Sequence, residues 1–528
     1  MAVSPLKIFW LTSAILFSLV GGLSLFWPPA LWALVLIGPL FLLGIHDMCQ
    51  RSHAVIRNFP VIGRARYWME TIRPEIQQYF VESDTSGRPF SRELRSVVYQ
   101  RAKVAIDTRP FGTLRDLDAV GCEWIAHSLT PQHAPDEEPR IMIGEGRCEK
   151  PYAASRLNVS AMSFGSLSSN AIRALNGGAK LGGFAHNTGE GGISPYHLEP
   201  GGDLIWQIGT GYFGCRTGEG GFDPDEFSAK ARLDSVKMIE IKLSQGAKPG
   251  HGGILPAAKV TPQIAEIRGV PMGQDVLSPP CHREFSTPKG LLDFIVRLRE
   301  LSGGKPVGFK LCVGRPSEFL SICKAMVETG TVPDFIAVDG SEGGTGAAPM
   351  EFSNSIGMPL TDGLLFVHNA LRGCGLRETI RVICSGKIVT GFNMVQRMAI
   401  GADLCNSARA MMFALGCIQA LKCNTNHCPV GVTTQNPDLV RGLDPEGKRH
   451  RVYNYHRNTI HSFLEILAAA GLSGPEDLKP CHIQRRVSPT EVKDYERFYN
   501  YLEPSALLSA SPPESFAEAW SQASAERF

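Results

Sequence analysis

Between Leu157 and Asn406, short β-branched or apolar runs recur eight times, and each passes into a glycine-rich polar loop followed by a helical pattern. The runs are Leu157–Met162, Gly183–His186, Leu204–Ile208, Met238–Leu243, Pro306–Leu311, Phe335–Val338, Arg381–Cys384 and Asp403–Asn406. Strands that alternate with helices pair in parallel, and eight of them predict an α/β fold of the (β/α)8 TIM-barrel type. In that fold functional groups gather where strands end, and phosphate is often held by the loops after strands seven and eight. A doubly wound sheet is the competing architecture, but it predicts a Gly-x-Gly-x-x-Gly turn near its first strand. Ser163-Phe-Gly-Ser-Leu-Ser168 is not that turn.

The chain, at 528 residues, is longer than one such domain of about 300 residues requires. Lys and Arg (53) nearly balance Asp and Glu (51), which removes the electrostatic case for nucleic acid. Fourteen cysteines, scattered and often inside apolar runs, read as reduced thiols and hence a reducing compartment.

Residues 1–50 read as a transmembrane hairpin. Ile8–Trp27 is uncharged and mostly apolar, Pro28-Pro29 interrupts it, and Ala30–Ile45 is apolar but short, so that it would draw in flanking residues. A signal peptide competes with this reading; two apolar segments, only Lys7 ahead of them and no small-x-small cleavage site speak against it. Arg51, Arg57, Arg64 and Arg66 follow with no acid between Asp47 and Glu70, so the positive-inside rule predicts a cell inner membrane protein with both termini cytoplasmic. Trp10, Trp27 and Trp32 would mark the membrane–water boundaries or simply pack. Residues 51–150 read as a connector or packing domain with a helix over 91–105, residues 151–470 as the barrel, and the proline-rich stretch 471–528 as a wrapping or partly disordered extension.

Several strand-end loops carry chemistry. Ser160-Ala-Met-Ser163-Phe-Gly-Ser166-Leu-Ser168 is small enough for an aromatic ring system to lie against its backbone, although a helix cap at Ser166 or Ser168 explains it equally. Thr188-Gly-Glu190-Gly-Gly places an acid between glycines, which a solvated turn would also do. In Lys242-Leu-Ser-Gln245-Gly-Ala-Lys248-Pro-Gly, two lysines and a glutamine follow an apolar strand in a loop too glycine-rich to be a charged helix face, which points to an anion or a dicarboxylate. Lys310 repeats the theme, where a cation would stabilise a reduced, anionic flavin. The turns after Asp339-Gly340 and Ser385-Gly386-Lys387, with Asn406 to Arg409, offer backbone N–H nests for phosphate.

Downstream, Cys417, Cys423 and Cys428 stand at C-x5-C-x4-C spacing, closed by Pro429. Structural zinc takes four ligands, whereas a cluster lacking one iron needs three thiolates, so the spacing suits 3Fe–4S. Three buried packing thiols are the alternative.

These loops in this order, with the cysteine run and its Asn-Thr-Asn-His and Pro-Val-Gly surroundings, resemble the FMN-binding synthase domain of the glutamate synthase family over roughly residues 150–435, and the whole chain resembles that family's membrane-anchored, single-domain bacterial members. The resemblance implies FMN and a 3Fe–4S cluster as cofactors and reductive amination of 2-oxoglutarate to L-glutamate. By position it assigns Ser163, Gln207, Lys310, Gly386 and Lys387 to FMN, with Lys242, Gly340, Asn406 and Arg409 among the cofactor-binding residues. Glu190, Gln245 and Lys248 would face 2-oxoglutarate, and Cys417, Cys423 and Cys428 would hold the cluster. The family's N-terminal glutaminase domain and C-terminal glycine-rich β-helix have no counterpart here, so ammonia is expected free or from a glutaminase partner. Ser385 stands where the family has Asp, and Lys387 where it has Gly. Without a dinucleotide fingerprint, ferredoxin or a separate reductase is the expected electron donor. An N-methylglutamate synthase-like enzyme using methylamine and a non-catalytic membrane flavoprotein scaffold or sensor remain as alternatives.

Overall fold

A computed structural model describes residues 4–106 and 108–528, and the chain divides into two compact units, 1–92 and 93–528. The first begins with helix Pro5–Ser24, a 3-10 turn Pro28–Ala33 and helix Leu34–Cys49. Two helical stretches, Pro5–Ser24 (20 residues) and Pro28–Cys49 (22 residues), are long and apolar enough to cross a membrane. The second recruits both prolines and His46–Cys49, which supplies the length the apolar run lacks. Phe41 of the second helix stacks on Phe9 (5.9 Å between centroids) and meets Phe17 edge-on (5.3 Å), while Trp10, Trp27 and Trp32 stay exposed. At the hairpin's base, buried Asp47 pairs with Arg64 (2.6 Å) and accepts the Val61 N–H (2.9 Å). This pairing ties Val61 and Arg64 to the hairpin, within the unit that ends at Arg92.

The second unit is built on eight parallel strands: β1 Leu157–Val159, β2 His186–Asn187, β3 Leu204–Ile208, β4 Val236–Lys242, β5 Val307–Leu311, β6 Phe335–Asp339, β7 Arg381–Ser385 and β8 Leu404–Ser407. They close into a barrel, with Cys405 opposite Leu157 and Asn406 opposite Asn158 joining β8 to β1. All eight strands expected from periodicity are present. β2 starts later than predicted because Gly183, at φ 62°, ends the preceding helix Ser169–Gly182 in the left-handed conformation.

The barrel is packed at its N-terminal end. Ala185, Ile205, Met238, Phe335, Ala337, Ile383 and Leu404 form one buried cluster with Ile141, Ile143, Tyr152 and Ala154. The last four lie on an antiparallel pair, Ile141–Ile143 with Tyr152–Ala154, which plugs that end and leaves the other rim for polar groups. Helix Pro445–Ala469 packs on Ser169–Gly182, and its Asp444 caps it through the N–H groups of Glu446 and Gly447.

The C-terminal extension is folded, contrary to the partly disordered reading. Strand Ile483–Ser488 pairs antiparallel with Glu123–Ile125 on one side and Glu491–Asp494 on the other. Its prolines fall where no amide hydrogen is needed: Pro475 and Pro480 open 3-10 turns and Pro489 occupies the hairpin turn. Helix Glu514–Gln522 packs on Pro316–Thr329, whose Lys324 donates to the Ala523 carbonyl (2.9 Å), while Phe516 stacks on Phe366 (5.5 Å) of helix Leu360–Gly373.

Phe335, fully buried in the plug layer, is the test of this core. Phe335→Ala should lower the unfolding free energy of the second unit by about 3–5 kcal/mol, the range for truncating a buried aromatic, as measured by urea titration.

Candidate active site at the strand ends

The C-terminal rim gathers the charged residues that the sequence places after separate strands. Glu190, just past β2, accepts from Lys242 Nζ at the end of β4 (2.8 Å). It is held between glycines: a Cβ on Gly209 would lie 2.7 Å from Glu190 Cβ, and one on Gly253 would strike its carboxylate. Burial pushes the Glu190 carboxyl up, but Lys242, Lys248 and Arg268 outweigh it and hold the group down at about 2. Burial lowers Lys242, with Glu190 opposing, and brings Lys248 down to about 8. Lys248 Nζ donates to the Ala347 carbonyl (3.0 Å), and Gln245 is half-buried on the same loop.

A second charged group lies across the rim. Asp339, ending β6, stands 3.7 Å from Lys310 Nζ, accepts the Gly246 N–H (2.9 Å) and accepts the Ser385 hydroxyl (2.5 Å). Ser385 therefore spends its hydroxyl on Asp339. Arg409 donates to the Glu342 carbonyl, and burial lowers its guanidinium to about 10 against Asp339 and Glu342. Gly340 accepts no side chain of its own, since a Cβ there would enter Leu360; its N–H donates to the Ser385 carbonyl (2.9 Å).

The β7 and β8 ends form the predicted turn. Gly386 (φ 145°) and Lys387 (φ 53°) both take positive φ, so the chain turns sharply at the end of β7. Asn406, opposite Ser385 in the register, is buried with Oδ1 unpartnered. A flipped amide would present a donor there, which fits an anion held at this turn. Deeper in the barrel, Gln207 donates to Glu240 Oε1 (2.6 Å), as does Asn187 (2.8 Å), so Gln207 is oriented by a buried carboxylate. Ser168 is the helix cap, accepting from Ala171 N (3.2 Å), while Ser163 receives an Arg268 N–H (3.4 Å). Beside these groups a small cleft is lined by Thr210, Lys242, Ser244, His251, Gly253 and Pro279.

Arg268 and His282 were not legible as site residues. Arg268 is buried, donates to Ser163 and to the Phe164 carbonyl (3.1 Å), lies 5.2 Å over the Phe213 ring and leaves Nε unpartnered. It precedes Gly269, the left-handed cap of helix Pro262–Arg268, so Arg-Gly reads in sequence as an ordinary basic helix end. His282 bridges the Lys242 carbonyl (2.9 Å) and the Tyr212 hydroxyl (3.1 Å), and burial lowers it to about 4, which keeps it neutral.

The cysteine loop lies beside the β1 turn. Gln419, Leu421 and Asn426 take positive φ, folding the loop back on itself. Burial raises the Cys428 thiol, but the Thr433 side chain and the backbone N–H groups of Thr433, Val430 and Val432 outweigh it and lower the group, and Cys417 Sγ receives the Gln419 N–H (3.5 Å). Burial pushes the Cys417 thiol up to about 12, and Cys423 and Cys428 add to that rise. Among the described residues, no group of three or more His, Cys, Asp or Glu side chains surrounds a single metal-ion position. Three thiols on one loop that folds back on itself, with a backbone N–H on the Cys417 sulfur, fit a multi-iron cluster, which is larger than one ion and takes thiolates only.

Comparison with known proteins places this architecture. The conserved region in glutamate synthase matches residues 125–473. The chain is similar to the glutamate synthase large subunit-like protein YerD of Bacillus subtilis (strain 168), with 40% identity over 84% of this chain and 91% of that protein. It is also similar to the archaeal glutamate synthase (NADPH) of Methanocaldococcus jannaschii, 36% identical over 61% of this chain, and to the archaeal-type glutamate synthase (NADPH) of Thermotoga neapolitana, 35% identical over 60%. The matched part spans 60% of the length of each of those two proteins. Among solved structures, a mutant flavocytochrome b2 with pyruvate bound is 10% identical, with a TM-score of 0.41 over 83% of this chain and 91% of that one. With the family's conserved region running over the barrel and the cysteine loop, the chain belongs to the glutamate synthase family.

Proposed function

We propose that the protein is a glutamate synthase-type oxidoreductase that reductively aminates 2-oxoglutarate to L-glutamate, using FMN at the strand ends and a 3Fe–4S cluster on Cys417, Cys423 and Cys428. The balance is 2-oxoglutarate, ammonia, two electrons and two protons to glutamate and water. The observation that carries the reading is the charge of the rim: among the described residues, Lys242, Lys248, Arg268 and Lys310 meet only Glu190 and Asp339, while Arg409 and Glu342 offset each other. Buried cations without partners are costly, so such a rim is suited to anionic ligands. A dicarboxylate and a cofactor phosphate are ligands of that kind.

When bound, FMN supplies the paired electrons that reduce the imine carbon, and the cluster supplies electrons to it singly. Lys248 and Arg268 are placed to hold substrate carboxylates, whose N–H bonds are charge-assisted. Glu190 stays ionised at every physiological pH and can only accept hydrogen bonds. It would repel a carboxylate, so its partner is the ammonium or the imine N–H rather than the 2-oxoglutarate carboxylates. Lys242 fixes its direction, and neutral His282 holds the Lys242 backbone in place. Gly386, Lys387 and Asn406 would receive the cofactor phosphate.

The apolar hairpin would anchor the protein in the cell inner membrane with residues 93–528 cytoplasmic, the orientation favoured by the arginines at 51–66. Ammonia would come free or from a glutaminase partner. Electrons would come from ferredoxin or a separate reductase, with NADPH, named in the archaeal relatives, as their source.

The test is anaerobic: flavin, iron and sulfide are assayed, then 2-oxoglutarate and ammonium are added to the reduced protein. Flavin reoxidation with stoichiometric glutamate is expected; reoxidation only with methylamine would reassign the substrate, and no flavin in the purified protein would end the reading. A pH dependence follows from Lys248, whose folded value of about 8 lies below the ordinary 10.5. Its ammonium is charged below pH 8, so 2-oxoglutarate affinity should fall as pH rises through that point, and Lys248→Ala should lose roughly ten- to a hundredfold at pH 7, the equivalent of about 1.5–3 kcal/mol, with a flat profile. Lys242→Met should cost about 3 kcal/mol in urea unfolding at pH 7, because it strips a buried carboxylate of its partner. Glu190 is depressed, so the pair's contribution is complete above pH 4.5 and fades as pH falls toward about 2; the Glu190→Gln, Lys242→Met double variant should recover part of the loss.

A further inference from the structure

Lys259 is a buried lysine that the rim chemistry does not use. It ends the 3-10 turn Ala257–Lys259 and is 2% exposed. Its Nζ donates to three carbonyls on three segments: Cys423 (2.7 Å) in the cysteine loop, Thr433 (2.8 Å) just after it, and Ser166 (3.1 Å) in the β1 turn. An ammonium has three N–H donors, so none is left for a substrate or a carboxylate.

Carbonyl dipoles satisfy the donors but leave the charge uncancelled. Among the described residues no carboxylate pairs with Lys259, and the ionisable groups beside it are the thiols of Cys423 and Cys428, which carry charge only as thiolates. The loop does not need a cation for its tethering. Neutral groups already do that: Asn426 donates to the Ala258 carbonyl (3.0 Å), Gln435 to Gly165 (3.1 Å) and Leu167 (2.8 Å), and Ser168 to Gly431 (2.6 Å). A neutral amide at 259 would supply two donors, enough for part of this tethering, with a smaller desolvation cost. The lysine's positive charge therefore calls for an anion at the thiols.

We infer that Lys259 is the built-in countercharge of the cysteine loop, and that its ammonium raises the reduction potential of the cluster held by Cys417, Cys423 and Cys428. This rests on the cluster reading proposed above. Net charge around an iron–sulfur centre is one of the terms that sets its potential, and a nearby cation favours the more negative, reduced state. Because Lys259 also touches the Ser166 carbonyl, the charge lies between the cysteine loop and the turn that carries Ser163.

The test is an EPR-monitored redox titration of full-length wild type, Lys259→Gln and Lys259→Arg, with iron, sulfide and flavin assayed in each. Lys259→Gln should keep its cluster and shift the oxidised-to-reduced ratio at a given potential about tenfold toward oxidised, which for one electron is a midpoint lower by about 59 mV. Lys259→Arg should stay near wild type. Loss of iron from Lys259→Gln but not from Lys259→Arg would likewise support the charge. A Gln variant with a full cluster and an unmoved midpoint overturns the inference and leaves the cluster reading standing, and so does loss of iron from both variants, which assigns Lys259 to the fold. Wild-type protein without iron overturns the cluster reading itself, and the inference with it.

Discussion

Closure of the parallel sheet is the constraint on which the rest depends. A parallel strand sends its C-terminal end, with the loop that follows, to the same rim as its neighbours, so residues from 160 to 409 converge although the chain separates them widely. The Cys405–Leu157 and Asn406–Asn158 pairings that close the ring bring the β8 end beside β1, and hence the predicted phosphate turn and cysteine loop beside Ser163. The hydrophobic plug fills the opposite end, and this division lets one rim be polar without weakening the core.

On that rim, charge is arranged by hydrogen bonds rather than by proximity alone. Glu190 and Asp339 each sit against a lysine, and each is also fixed by neighbours: glycines 209 and 253 crowd Glu190, while Gly246 N–H and Ser385 hold Asp339. Both carboxylates are thus held in place, Glu190 stays ionised, and the surrounding cations keep a net attraction for anions. Ser385 shows how a departure from the family's Asp can be absorbed. Its hydroxyl binds Asp339, so a carboxylate is still present beside the β7 turn but is carried by β6.

The barrel was legible because buried parallel strands are short apolar runs, and their period survives in any sequence. So were the rim residues that follow a strand directly, such as Lys242, Lys310 and Asp339. What stayed hidden lay in the excursion between Ser244 and His282, where no period guides the eye. Arg268 reads as a helix-end cation and Lys259 as a surface lysine after Ala-Ala, yet both are buried, because the excursion folds back over the rim. Whether the extension beyond 471 wraps or is partly disordered stayed open in the sequence for a related reason. Its prolines suggested irregular chain, whereas they occupy turns that frame Ile483–Ser488, and the partner strand Glu123–Ile125 lies some 360 residues away, beyond the reach of local pattern.

The turn Ser163–Ser168 connects these parts in a way that no single motif reveals. Ser163 receives Arg268, a cation facing the Glu190 group; the Ser166 carbonyl receives Lys259; Ser168 caps its helix and donates to Gly431 past the cysteine loop. A short run of small residues thus touches the rim on one side and the cysteine loop on the other. Small side chains are required there because Gly189 and Gly191 approach so closely that a Cβ on either would lie within 2.9 Å of Ser163 atoms. Rigidity follows from that packing, and with it a fixed separation between the rim and the cysteine loop. Electron transfer between centres depends on separation, whereas anion binding depends on the direction of donors. Under the proposed function one crowded turn would meet both requirements, which is a physical reason for small residues that neither the helix-cap reading nor the ring-accommodation reading supplies alone.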